Sequence, residues 1–296
     1  MKKPILSIIT VNWNSKKLLK NCINSINKNM KGIDYEIIVI DNDSSDDSVE
    51  MIKNKFPEII LIANKRNLGL AKAYNQGIKK SKGKYVALLN VDVIFVENSL
   101  NETVVFLEKH KNTAGAMCKS VSEDGSRIFQ EGFRKEITPF RFFLNDFFYF
   151  IFHQLFPNSI LVKKLFSFVC LNEDINQEVI LFDGCCAVFR KKIFYEFGFF
   201  DENLFLYCVE IDFTLRLKDT KWKAYYLGET KLIHLGSKTT SLRKDKQRIY
   251  DKDHIYYFRK HYGNFALFEY HIARLPVLLI RFLIFFYEKL TSTINI

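Results

Sequence analysis

Polar side chains follow several apolar runs in the first hundred residues. The run "YVALLNVDVIF" carries Asn90 and Asp92 near its end, Asn12 and Asn14 follow the first apolar run, and Asp41 follows the second. Asn and Asp are common where strands stop, because they hydrogen-bond their own backbone. A single such ending could be turn chemistry alone. Several of them at one edge of a sheet predict a ligand pocket.

The elements that would position these side chains alternate between strand and helix. The segments in order are "ILSIITVNW", "SKKLLKNCINSINK", "EIIVIDN", "SSDDSVEMIKNKF", "IILIAN", "GLAKAYNQGIKKS" and "YVALLN". Continuous Ile, Val and Leu runs favour a parallel sheet covered on both faces. We therefore predict a doubly wound, Rossmann-like α/β fold, in which ligands bind at the carboxyl ends of the strands. Ser44 with Asp47 predicts a capping pair at the second helix.

The regular alternation of strand and helix patterns stops in the second half of the chain. Residues 138–179 become aromatic and amphipathic, which predicts an insertion. The segment "VILFDGCCAVFR" then predicts one strand, followed by a short helix that ends near Gly198. A longer helix containing Glu210 and Asp212 and a strand "KAYYL" complete the predicted order.

Length and composition are those of a packed globular protein. The chain has 296 residues, of which 48% are hydrophobic, so it can form one large α/β domain or two smaller ones. We expect one catalytic domain over residues 1–240 and a basic, amphipathic helical extension over residues 241–296. The six cysteines form no CxxC pair and the amino terminus lacks the plan of a secretory signal, which predicts reduced thiols and a cytoplasmic location. Zinc is disfavoured because the cysteines and histidines lack ligand spacing.

The charge of +11 is concentrated near the carboxyl end, where the last 76 residues hold 14 Lys or Arg against six Asp or Glu. Such a field attracts nucleic acid, anionic lipid headgroups or phosphorylated substrates. Nucleic acid is disfavoured, since the aromatic residues lie among aliphatic ones rather than as stacking platforms. The aromatic runs from Pro139 and Leu275 are interrupted by charged residues, so a membrane-surface role is predicted instead of a span. A buried helix or a homodimer interface is the alternative for the second run.

Three common motifs are missing from the sequence. No GxGxxG follows the first strand, no GxxxxGK[ST] is present, and no GxSxG is found. These absences disfavour a nicotinamide oxidoreductase, a P-loop ATPase and an α/β-hydrolase.

Five segments together resemble the inverting family 2 glycosyltransferases of GT-A fold, in particular their rhamnosyltransferase-like branch. They are "SIITVNWNS", "VIDNDSSDDSVE", "NLGLAKAYNQGI" leading into "YVALLNVD", "FDGCCAVFRKKIFYEFGFFDENLFLYCVEID" and "HLGSKTTS". The resemblance implies transfer of a sugar from a nucleoside-diphosphate sugar to a hydroxyl of a lipid-linked glycan, at the inner face of the cell membrane. Rhamnose is the first expectation for the sugar, and galactose or an N-acetylhexosamine is an alternative.

The resemblance also implies a metal site. Asp92 matches the last residue of the family's DxD motif, which reads "NVD" here. Mg²⁺ or Mn²⁺ takes oxygen ligands, typically one or two carboxylates together with substrate phosphates. Asn90 would contact the nucleotide or the donor sugar. His234 in "HLGS" matches a histidine that completes the metal shell, although a lone histidine after a strand is often a core residue.

Further matches lie on the donor side. Asp41 matches a contact to the base and ribose, and Asn12 and Asn14 match the first nucleotide-binding loop. The pattern NxGxxxxxN beside the donor is matched by Asn67, Gly69 and Asn75. The alternatives are that Asp41 caps the next helix and that the NxG pattern is an ordinary helix-start turn.

The general base is assigned by the same resemblance. The family pattern Glu-Asp-x-Asp aligns with "VEID", so Val209 takes the place of the first acid and Glu210 that of the base. A glutamate can accept a hydroxyl proton when desolvation raises its pKa. Asp212 would contact substrate, and its spacing from Arg216 favours an ion pair. Two alternatives stay open, namely that Glu210 is a plain surface residue and that the chain binds a nucleotide sugar or glycan without catalysis.

Overall fold

The structure, a computed structural model, describes residues 3–126, 128–129, 132–133, 138–139, 174–182, 184–236, 238 and 243–294. The strands are β1 (Leu6–Asn12), β2 (Tyr35–Asp41), β3 (Ile60–Ala63), β4 (Tyr85–Asn90), β5 (Val93–Ile94), β6 (Thr113–Val121), β7 (Ile128–Phe129), β8 (Gly132–Phe133), β9 (Gln177–Val179), β10 (Leu181–Phe182), β11 (Cys186–Arg190) and β12 (Lys223–His234). The helices are α1 (Lys16–Asn29), α2 (Ser48–Lys55), α3 (Leu70–Lys80), α4 (Ser99–Lys109), α5 (Lys191–Glu196), α6 (Val209–Leu215) and α7 (Lys246–Ile294).

The main sheet has the strand order β3-β2-β1-β4-β11-β6-β12-β5. Its first four strands pair in parallel, β11 is antiparallel to both neighbours, and β12 is parallel to β6. The predicted doubly wound, mostly parallel α/β sheet is therefore confirmed. The register places Asn12 opposite Asp41 and Val11 opposite Asn90. The polar strand ends consequently lie at the same edge.

Helix α1 shows why these elements pack on the sheet. Its buried apolar residues recur at helical spacing, as Leu19, Cys22, Ile23 and Ile26. This single apolar stripe covers one face of the sheet, whereas β1 is buried along nearly its whole length. The helix and the strand thus form one core from the two patterns that the sequence predicts.

One strand prediction was wrong. The run "VILFDGCCAVFR" is not one strand. It begins with the last residue of β9 and then contains β10 and β11, which lie in different sheets, because β10 pairs with β8 while β11 inserts between β4 and β6. A bend at Gly184 separates them, and the apolar residues Phe182 and Cys186 on either side are both buried. The Asp-Gly dipeptide at positions 183 and 184 is a turn signal that the single-strand prediction passed over. Strand β12 is longer than predicted, and α6, which carries Glu210, has seven residues.

The capping prediction at α2 was also wrong. The helix begins at Ser48, and the preceding Asp47 has a left-handed backbone (φ 56°) and makes no side-chain capping bond. The Ser44 hydroxyl instead accepts hydrogen bonds from Asn12 Nδ2 at 3.1 Å and from the Asn14 backbone N–H at 2.9 Å. The serine thus joins two strand-end loops, a contact that local spacing cannot reveal.

Two compact units divide the chain, one formed by residues 1–135 with 171–253 and the other by residues 136–170 with 254–296. The predicted insertion at residues 138–179 lies mostly outside the described residues. Helix α7 changes direction at Gly263, whose φ is 79°. None of the helices in the described ranges has both the length and the apolar character that a membrane crossing needs.

Candidate active site

The ends of β1 and β2 form a hydrogen-bonded pair. Asn12 Nδ2 donates to Asp41 Oδ2 at 2.8 Å, and the Ser44 backbone N–H donates to Asp41 Oδ1 at 2.9 Å. Both side chains are buried, with exposures of 0% for Asn12 and 2% for Asp41. Asn12 Oδ1 accepts no hydrogen bond from the described residues. These hydrogen bonds tie the loop after β1 to the loop after β2.

Asn14 continues this loop. Its backbone is left-handed, with φ 48°, a conformation that Asn tolerates better than other non-glycine residues. Its Oδ1 accepts the Ser45 backbone N–H at 2.7 Å. Asn14 therefore cross-links the loops after β1 and β2.

The loop before α3 contains Asn67 and Gly69. Asn67 Oδ1 accepts the Gly69 backbone N–H at 3.0 Å, and the Leu70 N–H donates to the Phe205 carbonyl at 2.6 Å. Gly69 has φ 83°, and a Cβ on it would lie 2.6 Å from the Phe205 carbonyl oxygen. The close approach of the segment at Phe205 therefore requires glycine here.

This contact yields a stability prediction. Gly69→Ala is expected to lower the free energy of unfolding by about 1–3 kcal/mol more than Gly125→Ala, because a new methyl must displace backbone. Gly125 is a matched control, since its φ of 70° is also positive but a Cβ on it would have nothing within 4 Å. Urea denaturation of both variants measures the difference. Equal losses would show that the Phe205 contact does not constrain the loop.

Asn75 is held inside the protein. Its Nδ2 donates to the Phe200 carbonyl at 3.0 Å, and its Oδ1 accepts the Phe200 N–H at 3.0 Å. The residue is 2% exposed. The structure therefore places Asn75 where it fixes the segment after α5 against α3, rather than at the open edge of the sheet.

Asp92 and His234 come together although 142 positions separate them in the sequence. Strand β5 pairs with β12 so that Val93 faces His234, and the Leu235 N–H donates to the Asp92 carbonyl at 2.9 Å. Asp92 Oδ1 lies 3.4 Å from His234 Nε2. Asp92 is 1% exposed, and its Oδ1 has no hydrogen-bond partner among the described residues. A buried carboxylate oxygen without a donor is suited to a cation.

Asn90 lies at the same edge, half-buried at the end of β4. Its backbone N–H donates to the Cys185 carbonyl at 2.8 Å. Within the described ranges, no cluster of three or more His, Cys, Asp or Glu could hold a metal ion. The pair Asp92 and His234 could therefore supply at most two protein ligands to a metal ion.

The first turn of α6 carries Glu210 and Asp212, both buried, with exposures of 9% and 0%. Arg216 Nη2 lies 3.5 Å from Asp212 Oδ2, which confirms the predicted ion pair. The same guanidinium donates to the carbonyls of Phe197 at 3.0 Å and Phe199 at 2.9 Å. Asp212 thus anchors an arginine that holds the chain after α5.

Tyr74 is a buried residue of α3 that sequence reasoning did not single out. Burial raises the pKa of Tyr74 well above its ordinary value, and the negative charges of Glu210 and Asp92 raise it further. The buried phenol therefore stays protonated. The available signal was its position directly before Asn75 in the NxGxxxxxN segment.

Arg243 was also missed. Its guanidinium lies 4.7 Å from the centre of the Trp13 ring and 5.1 Å from that of Phe205, distances typical of cation–π contacts. Trp13 directly follows Asn12, so the arginine connects the loop after β1 to the segment before α6. No local motif in the sequence marks this residue.

Comparison with known proteins relates the sequence of this chain to one enzyme family. The model of the family "Glycosyl transferase family 2" matches residues 7–198. An uncharacterized glycosyltransferase of Methanocaldococcus jannaschii is 26% identical over 244 residues, which cover 78% of this chain and 80% of that protein. An Escherichia coli UDP-Glc:alpha-D-GlcNAc-diphosphoundecaprenol beta-1,3-glucosyltransferase is 34% identical over 109 residues, which cover only 36% of this chain and 43% of that protein.

Among solved structures, GalNAc-T7 with UDP, GalNAc and Mn²⁺ superposes with a TM-score of 0.55 at 15% identity, covering 78% of this chain and 44% of that chain. At this identity the likeness concerns the fold, and it confirms the GT-A prediction. The family match covers well over half of the chain and includes the loops after β1 and β2, Asn90 and Asp92. The protein therefore belongs to glycosyltransferase family 2 and has the GT-A fold.

Proposed function

We propose that the protein transfers a sugar from a nucleoside-diphosphate sugar to a hydroxyl of a lipid-linked glycan, with inversion at the anomeric carbon. The observation that carries this proposal is the meeting of Asp92 and His234 at the strand-end edge, where Asp92 Oδ1 has no hydrogen-bond donor among the described residues. The E. coli relative, by its name, uses UDP-glucose and a diphosphoundecaprenol acceptor. That name supports a nucleotide-sugar donor and a role in cell-surface glycan synthesis.

Asp92 and His234 would hold Mg²⁺ or Mn²⁺. The fit rests on the orphaned Asp92 oxygen and the ring nitrogen 3.4 Å away, since two protein ligands together with phosphate oxygens satisfy such an ion. When bound, the cation would neutralise charge on the departing diphosphate. The Mn²⁺ in the GalNAc-T7 structure supports this assignment.

The chain's own residues perform the remaining tasks. Asn12, Asn14 and Asp41 order the loops that would receive the nucleotide, and Gly69 lets the segment at Phe205 approach the loop before α3. Glu210 would accept the proton of the acceptor hydroxyl as that oxygen attacks the anomeric carbon from the side opposite the diphosphate. Its 9% exposure gives a partly desolvated setting that suits a base. Asn90 would contact the donor.

The acceptor side is proposed to lie at the membrane surface. Beyond Gly263, helix α7 exposes Phe265, Phe268, Ile272 and Leu275, with exposures of 71%, 60%, 48% and 61%. Their spacing places them along one side of the helix, and the surrounding region is basic. Such a surface can lie among anionic lipid headgroups. We therefore propose a position at the membrane surface, and the resemblance to the family implies its inner face.

A double substitution tests the membrane surface. Phe265→Ser with Phe268→Ser is expected to weaken flotation with anionic liposomes roughly tenfold or more, because two apolar rings no longer enter the interface. Tyr195→Ser is the control, since Tyr195 is 60% exposed but lies in the other compact unit. Wild-type protein that stays at the bottom of the gradient would overturn the membrane proposal, and a shift to dimers on sizing would favour the homodimer alternative.

The donor sugar is proposed to be rhamnose, with glucose, galactose and N-acetylhexosamines as the competitors to be tested. The experiment measures nucleoside-diphosphate release from a panel of these donors with Mn²⁺ or Mg²⁺, with and without chelator, in the presence of membrane extract as acceptor. Metal-dependent release with one donor is the expected result and identifies the sugar. No release with any donor would contradict the proposed transfer.

A binding protein without catalytic activity is the second candidate, because Val209 replaces an acid and is completely buried. In that case, one donor would bind while none released nucleoside diphosphate. Calorimetric titration with the same panel separates the two candidates.

A further inference from the structure

The segment 205–207 lies between the donor loop and the helix that carries Glu210. On one side, the Phe205 carbonyl accepts the Leu70 N–H at 2.6 Å. On the other side, Cys208 has a left-handed backbone (φ 61°), and α6 begins at the next residue. Any displacement of this segment therefore moves both halves of the candidate site.

The backbone N–H groups of this segment converge on one carboxylate. Asp253 Oδ1 accepts the Phe205 N–H at 3.1 Å, and its Oδ2 accepts those of Leu206 at 2.8 Å and Tyr207 at 2.9 Å. Asp253 lies on α7 and is 0% exposed. Hydrogen bonds to an ionised acceptor are about twice as strong as neutral ones.

Helix α6 depends on this support. It has seven residues, and Cys208 at its start makes no side-chain capping bond. So short a helix is not stable by itself in water. Its position is therefore set by packing and by the backbone that precedes it, and Glu210 is in its first turn.

Helix α7 contacts the same segment at a second point. The Tyr207 ring packs edge-on against that of Tyr250, with ring centres 5.0 Å apart. Tyr250 precedes Asp253 by three positions, so the two residues lie on one side of the helix. A charged and an aromatic contact from one helix thus fix three successive residues.

We infer that Asp253 is a positioning residue for the base Glu210, acting through the backbone of residues 205–207. The inference rests on the proposed function for the role of Glu210. It gives one side chain of α7 a role in orienting Glu210, although Asp253 itself touches no substrate.

Asp253→Asn tests the inference with little change in volume. Asparagine has one acceptor oxygen where aspartate uses two, so in either orientation its NH₂ group faces at least one backbone N–H. We expect kcat to fall by about 10–100-fold, as for groups that orient a catalytic residue, with the Kd for the donor nearly unchanged. In a Glu210→Gln background, the same substitution should lower kcat by less than about twofold. A merely structural role would lower kcat equally in both backgrounds.

Asp251→Asn is the matched control, because Asp251 lies two residues away on the same helix and accepts a hydrogen bond from Gln247 at 3.0 Å.

Hydrogen exchange at residues 205–207 provides a readout independent of activity, and faster exchange in Asp253→Asn is expected. If that variant does not fold, Asp253→Glu keeps the charge but moves it by one methylene. Unchanged exchange, or a wild-type kcat in either variant, would overturn the inference. An inactive wild-type enzyme would instead count against the proposed function, while the exchange result would still decide whether Asp253 holds the segment.

Discussion

Replacing Glu210 by glutamine is expected to reduce turnover by about 10²–10⁴-fold, the usual contribution of a positioned base. Glutamine has nearly the same size but cannot accept the hydroxyl proton. The bond from Thr214 Oγ1 to the Glu210 backbone carbonyl, at 2.9 Å, does not depend on the side chain. Donor binding should therefore be retained, and the whole loss should appear in kcat. Nucleoside-diphosphate release at saturating donor measures it.

The matched control is Glu50→Gln, which changes an exposed acid in the first turn of α2. It should leave turnover unchanged. Normal turnover by Glu210→Gln would show that another group accepts the proton. A loss confined to KM would instead mean that Glu210 binds substrate without acting as a base.

Replacing Asp92 by asparagine is expected to abolish the stimulation of turnover by Mn²⁺ or Mg²⁺ and to lower kcat by at least about 10²-fold. This estimate follows from the several kcal/mol that a bound cation contributes to charge stabilisation. The hydrogen bond from the Leu235 N–H goes to the Asp92 backbone carbonyl and should persist. Release assays with added metal and with chelator measure the effect.

The stability of the same variant separates two roles for Asp92. If the carboxylate serves the fold through His234, breaking a buried pair should cost about 3–5 kcal/mol. If the carboxylate instead serves a cation, its buried oxygen has no hydrogen-bond donor among the described residues to lose. Asp92→Asn should then leave the free energy of unfolding within about 1 kcal/mol of wild type or raise it. Asp219→Asn, at an exposed position, is the control. A large loss of stability with turnover intact would contradict the metal assignment.

The strand ends were predictable because two sequence features agree there. Continuous apolar runs specify buried parallel strands, and polar residues directly after them must meet at one edge. Asn12, Asp41 and Asn90 were located in this way. The approach of Asp92 to His234 needed the family resemblance, since no local pattern joins residues on β12 and before β5.

The contacts that sequence reasoning missed are long-range ones. Ser44 has the spacing of a helix cap, yet its hydroxyl binds residues about 30 positions away. Asp253 accepts N–H groups from residues 46–48 positions earlier, and in the sequence it is only one of several acids on α7. Backbone groups carry no side-chain signature, so their partners become visible only when the fold brings them together.

We propose that sugar transfer occurs by a single displacement with Glu210 as the base. The anomeric configuration of the product is the most direct test of this mechanism. Once the donor panel has identified the sugar, NMR of the purified product measures this configuration. Attack opposite the diphosphate predicts inversion, so an α-linked donor should yield a β-linked product. A product that retains the donor's configuration would contradict this mechanism and the role of Glu210 in it.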